Sequence, residues 1–191
     1  MIAFHAPNEL SAADRLEEAE RILKDSLGDA RSFLGDSNPT TILSARRLAT
    51  LLERRERFAE ALAVRRDELA RTAKARGDGD VFVAIGLNLL GQHGLKSGQP
   101  TLAEAYFVKA LAARQTLHPA GSWRIDEARG MVGVARLRAR RYGAAEADLL
   151  AAYEGLRAHR GSDAAETQAV KAHLVDLYER WSRPERARQY R

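Results

Sequence analysis

Cysteine is absent from the chain, which excludes disulfides, thiol nucleophiles and cysteine-ligated metals. Aromatic residues make up only 6%, and no apolar run approaches the length of a membrane span. No stretch alternates apolar and polar residues as a half-buried strand would. Met1 to Leu10 has neither the basic start nor the sustained apolar stretch of a secretory signal, so a cytoplasmic location is the expectation. Charge of one sign is also in short supply. The 31 basic residues exceed the 26 acidic ones by only five, and acids such as Glu53, Glu56 and Asp67 interleave with the densest arginine cluster. That pattern reads as a salt-bridged helical surface and makes nucleic acid an unlikely partner, while leaving an acidic peptide a reasonable one.

What is present is a period. Alanine recurs every 42 residues, at Ala19, Ala61, Ala103, Ala145 and Ala187. Three residues earlier stand Leu16, Phe58, Pro100, Tyr142 and Pro184, apolar or turn-forming throughout. Twelve residues before the later alanines stand Ala49, Gly91, Gly133 and Val175, each preceded by a large apolar residue. A small residue held in one phase means that the same close helix contact is built repeatedly, as in a repeat array. Seven and eight residues after the alanine come Ser26-Leu27, Glu68-Leu69, Ala110-Leu111 and Ala152-Tyr153. Glu68 breaks this small-then-large pair and is expected at an edge.

Helical spacing of apolar residues predicts antiparallel pairs over 41–56 and 58–74, 80–97 and 101–116, and 123–138 and 142–160. A further first helix is expected over 162–181, capped by Ser162 or Asp163, and a last one from Pro184. Gly98-Gln99-Pro100 is a turn between helices, whereas the turn near Arg140-Arg141 lacks the usual breakers. Links rich in glycine or proline separate the pairs, and none is long enough to split the chain. One repeat domain over 14–191, preceded by an irregular segment or cap over 1–13, is the expected organisation.

The segments ERFAEALAVRRDEL, GQPTLAEAYFVKAL and RRYGAAEADLLAAY resemble the second helix of tetratricopeptide repeats in the 42-residue form typified by kinesin light chains. FLGDSNPTTILSARRLATLL is similar to that form's link and following first helix, so the resemblance covers nearly the whole chain. It implies an all-α fold: a right-handed superhelical solenoid of antiparallel helix pairs, with first helices lining a concave groove. The ending ETQAVKAHLVDLYERWSRPERARQYR resembles repeat tails of some bacterial serine/threonine kinases. The columns that hold paired asparagines in the 42-residue form are filled here by Arg46-Arg47, Asn88-Leu89, Gly130-Met131 and Ala172-His173, so a ligand chosen by those asparagines is not implied.

Motifs for chemistry are absent. Gly91 to Ser97 lacks the glycine before lysine that a phosphate loop needs, and Val83-Ala84-Ile85 is followed by Gly86 where a kinase would carry lysine. His5, His93, His118, His159 and His173 show no paired metal spacing. No cofactor and no catalysis are expected. The resemblance implies a protein-interaction scaffold whose groove presents Arg46, Thr50, Glu53, Asn88, Gln92, Met131, Val134, His173 and Asp176 to a peptide. In that reading Arg46 and Asn88 hold backbone or carboxylate groups, and Met131 and Val134 form an apolar floor. The alternative is a docking tail for a kinase domain carried elsewhere.

Overall fold

The computed structural model describes residues 12–191, so the segment expected as an N-terminal cap lies largely outside it. All regular elements among the described residues are helices: α1 (Ala12–Leu34), α2 (Pro39–Arg54), α3 (Phe58–Arg76), α4 (Val81–Lys96), α5 (Pro100–Leu117), α6 (Trp123–Arg138), α7 (Tyr142–Arg160), α8 (Ala165–Arg180) and α9 (Pro184–Arg188). Two compact units divide the chain, the first ending at Glu68 and the second running from Leu69 to Arg191.

The periodic alanine occupies one structural position. Ala61, Ala103, Ala145 and Ala187 are each the fourth residue of a helix, and each is fully buried. Their amides donate to the carbonyls of Arg57, Gln99, Arg141 and Arg183, closing the first turn of α3, α5, α7 and α9. Ala19 differs, because α1 begins further upstream and places it two turns in, half-buried.

The turn that precedes each of these helices repeats as well. Glu56, Gly98, Arg140 and Ser182 all have positive φ, between 56° and 68°. The following amides, of Arg57, Gln99, Arg141 and Arg183, donate back to Leu52, Gly94, Arg136 and Tyr178. This is the Schellman closure of a helix C-terminus. Only one of the four residues is glycine, yet the left-handed conformation is kept at the other three.

In the first unit, α1 and α2 pack through Leu27, Ala45, Leu48, Ala49 and Leu52, with Ala61 of α3 in the same cluster. Asn38 caps α2, its Oδ1 accepting from the Thr40 amide at 2.9 Å. In the second unit, antiparallel pairing can be read from close approaches that keep register. A Cβ on Gly91 of α4 would lie 2.6 Å from Cδ1 of Phe107 on α5, and one on Gly94 would lie 3.1 Å from the Cβ of Ala103. Likewise Gly130 and Gly133 of α6 face Ala152 and Leu149 of α7. Absence of a side chain at these positions lets the two backbones approach, as the small-residue column implied. The core continues through Val83, Leu87 and Ala110, then Phe107, Val132 and Ala135, and then Leu137, Leu149, Leu156, Leu174 and Tyr178. Tyr142 and Trp181 cover the last cluster, with ring centroids 5.9 Å apart.

Two expectations are corrected. Glu68 is not at an edge; it is 4% exposed, and the Arg46 guanidinium donates to it at 3.0 Å. Helix α8 starts at Ala165 after an Ala164 N-cap with no side-chain cap, so neither Ser162 nor Asp163 caps it. The Gln168 side chain instead donates to the Ser162 carbonyl at 2.7 Å and fixes the entry.

Candidate functional site

Each first helix buries one face against its second helix and leaves another available. On α2 the buried residues are Thr41, Ile42, Ser44, Ala45, Leu48, Ala49, Leu51 and Leu52, and the exposed ones after Pro39 and Thr40 are Leu43, Arg47, Thr50 and Arg54. Shifting by the period gives Ile85, Leu89, Gln92 and Lys96 on α4, then Glu127, Met131, Val134 and Arg138 on α6, then Ala169, His173, Asp176 and Arg180 on α8. These residues are half-buried or exposed, apart from Val134. The column formed by Arg54, Lys96, Arg138 and Arg180 is basic throughout and exposed, at the end of a helix where cations complement the macrodipole.

In the first unit the expected groove residues divide by environment. Arg46 is mostly buried and held by Glu68. Glu53 is 8% exposed and accepts from Arg65 Nε at 2.9 Å, Arg65 itself being 6% exposed. Both pairs tie α2 to α3, so these arginines belong to packed ion pairs and not to the solvated face expected from the sequence. Thr50 is exposed, with its hydroxyl donating to the Arg46 carbonyl at 2.9 Å.

In the second unit Asn88 and Gln92 are half-buried on α4. Met131 is half-buried over Ala103, Phe107, Val132 and Ala135. Val134 is 5% exposed and sits in the core with Leu137 and Leu149, so it supports the surface from beneath without offering one. His173 and Asp176 are half-buried on α8, and Asp176 pairs with Arg180 at 2.5 Å and Arg138 at 3.4 Å. Burial holds the His173 imidazole below its ordinary value, Arg138 adds to that effect, and Asp176 opposes it.

A motif absent from the sequence reading is a carboxylate that follows the periodic alanine. Glu20, Glu104 and Glu146 each collect arginines from the next helix pair: Arg55 and Arg57, Arg136 and Arg141, and Arg186 respectively. Glu20 also takes Lys24 at 2.7 Å. With Glu17, Arg21 and Asp25 these groups line an open charged cleft in the first unit. The signal was available in the 42-residue spacing of Glu104 and Glu146. Elsewhere, Trp123 lies 4.6 Å from the guanidinium carbons of both Arg124 and Arg160. Among the described residues no group of three or more His, Asp or Glu side chains is placed to hold a metal, and no helix is long and apolar enough to cross a membrane.

Pairs of antiparallel helices, each second helix entered through one repeated turn, define a tetratricopeptide-like repeat fold. Solved structures agree. A kinesin-light-chain-type protein with nearly identical TPR-like repeats from Podosopora anserina superposes with a TM-score of 0.76 at 15% identity, over 93% of this chain and 84% of that one. A substituted form of it gives 0.77 with the same identity and coverage. BtubC (BKLC) from P. vanneervenii gives 0.74 at 22% identity, over 95% of this chain and 74% of that one. No protein-family model and no curated protein matches the chain.

Proposed function

We propose that this protein is a non-catalytic interaction scaffold that binds a peptide segment of a partner protein along the uncovered faces of its first helices. The observation that supports this reading is the recurrence on α2, α4, α6 and α8 of one face that, Val134 apart, is half-buried or exposed, with the opposite face of each helix committed to core. Helix faces of this kind accept polypeptide through a few anchors with polar groups around them. In the second unit Asn88 and Gln92 supply amide donors and acceptors, Met131 an adaptable apolar contact, and His173 with Asp176 a polar margin. In the first unit Thr50 is the expected residue that is exposed, while Arg46 and Glu53 shape the surface through their ion pairs.

The test replaces half-buried groups whose loss leaves the core intact. Asn88→Ala with Gln92→Ala, checked for an unchanged helical spectrum, is compared with the wild-type chain in affinity capture from the native cell extract. Proteins retained by the wild type and lost by the double variant are the expected result. An identical retained set overturns the assignment of the α4 face.

A further inference from the structure

The face that each later second helix buries under the first helix before it is open on α1. Arg65 and Glu68 of α3, Phe107 and Ala110 of α5, and Leu149 and Ala152 of α7 are at most 6% exposed. They meet α2, α4 and α6 respectively. The residues of α1 in the same columns are Leu23, half-buried, and Ser26, exposed. Beside them Ile22 is 56% exposed and Phe33 84%. The chain does not turn back over this face as it does elsewhere. Asp14, which aligns with the left-handed residues Glu56, Gly98, Arg140 and Ser182, lies inside the continuous helix α1. The repeat also shows what an occupant would meet at the C-terminal end of the face. On α7 the residue aligned with Asp29 is Gly155, where a Cβ would overlap the Asp126 carboxyl of α6. The residue aligned with Phe33 is His159, whose Nδ1 lies 3.1 Å from that same carboxyl. A helix laid on α1 as α6 lies on α7 therefore brings one side chain to both Asp29 and Phe33. Asp29 is exposed and has no ion pair among the described residues.

We infer that the open face of α1 docks an antiparallel helix of a partner protein, with small residues against Leu23 and Ser26 and, one turn nearer its N-terminus, an arginine meeting Asp29 and Phe33. The fold sets the conformation, because α3, α5 and α7 all cover this face with an antiparallel helix. An extended segment would leave its backbone N–H and C=O groups unpaired against an apolar helix surface. Asp29 and Phe33 set the chemistry. Four residues apart on one side of α1, they let a guanidinium stack on the ring while it donates paired N–H groups to the carboxylate. A second copy of this chain fits less well. Glu18, Asp25 and Asp29 form one edge of the face, and an antiparallel two-fold would set that acidic edge against itself. Because α1 is a second helix, this surface is separate from the first-helix faces, and its failure leaves that reading standing.

The probe is the α6 sequence, Trp123–Arg138, as a free peptide held helical by a hydrocarbon link between positions 127 and 131. Two forms are made, one with Asp126 as it stands and one with Asp126→Arg. Each is titrated into the full chain while the methyl signals of Ile22 and Leu23 and the ring signals of Phe33 are followed by NMR. The arginine form is expected to shift these signals and to bind roughly fivefold tighter than the aspartate form. On the Asp29→Arg chain the order of the two peptides is expected to reverse, a result that a general loss of folding would not produce. Equal affinity of the two forms for the wild-type chain, or an unchanged order on Asp29→Arg, overturns the inference. So does silence at Ile22 and Phe33 when the arginine form is added. Contact in the free chain between Phe33 and residues 1–11 overturns it by showing that the chain covers its own face. A dimer in sedimentation whose formation perturbs Ile22 and Phe33 overturns it in favour of a second copy.

Discussion

Alanine substituted for two helical glycines should move stability in opposite directions, and the structure fixes the sign of each. Gly28 lies within α1 with nothing within 4 Å of a Cβ built on it. Gly28→Ala therefore gains the helix-propensity difference alone, about 1 kcal/mol. For a chain of this size that raises Tm by roughly 2–4 °C. Gly91 lies within α4, where the new Cβ would stand 2.6 Å from Cδ1 and 2.7 Å from Cζ of Phe107, a ring only 1% exposed. Overpacking of a closed core costs about 1–3 kcal/mol. Set against the same propensity gain of about 1 kcal/mol, Gly91→Ala should end destabilised by up to about 2 kcal/mol and lose up to roughly 8 °C. Thermal unfolding followed by circular dichroism at 222 nm reads both variants, and Phe107→Leu introduced beside Gly91→Ala should cost less than either change predicts by addition. If Gly91→Ala raises Tm as Gly28→Ala does, the two helices do not approach as described and the packing argument for the small-residue column fails.

Other consequences follow from single residues. Arg140 is exposed with φ of 59°, so Arg140→Gly removes left-handed strain of about 1–2 kcal/mol, loses part of it to the freer unfolded chain, and should raise Tm by roughly 1–4 °C in the same assay. His173 has a folded-state pKa below its ordinary 6.5, so the unfolded chain binds the proton more readily. Its contribution is full above about pH 6.5 and is lost as pH falls through the lower folded value; His173→Gln should flatten that segment of a urea-unfolding pH profile. The Glu20 carboxyl is lowered first by its hydrogen bond from Lys24, with Arg57 and Arg55 adding to it. Glu20→Gln should lose about 2 kcal/mol near neutral pH. That deficit should shrink as pH falls below about 4.5 through the depressed folded value, where the wild-type carboxylate also protonates.

The sequence made the repeat legible because packing constraints leave periodic traces. An alanine at the fourth position of a second helix must be small to let the preceding first helix close upon it, and four of the five periodic alanines are buried there. The bounds of α6 and α7 were readable from apolar spacing alone, Trp123 and Tyr142 marking their starts. The Arg140 turn was obscure for a physical reason: its left-handed residue is specified by the Schellman closure and the flanking packing, and no glycine announces it. Paired charges were obscure for another. Arg46 and Arg47 are adjacent and chemically alike, yet helical rotation of about 100° turns one towards Glu68 on α3 and the other to solvent. Sequence spacing alone could not decide which of two neighbours, Arg46 or Arg47, stands exposed on α2. Val134 shows the same limit, since its column is open on α2 and α4 and closed by core on α6.

The central claim is that partner polypeptide contacts the first helices. Site-specific photocrosslinking reads this directly, with a benzophenone side chain placed in turn at Thr50, Gln92 and Met131 on first helices and at Ala59, Val108 and Ala147 on the exposed faces of second helices. After capture of partner from native extract, adducts are predicted from Thr50, Gln92 and Met131 and none from Ala59, Val108 and Ala147. Adducts from the second set with none from the first would contradict the account.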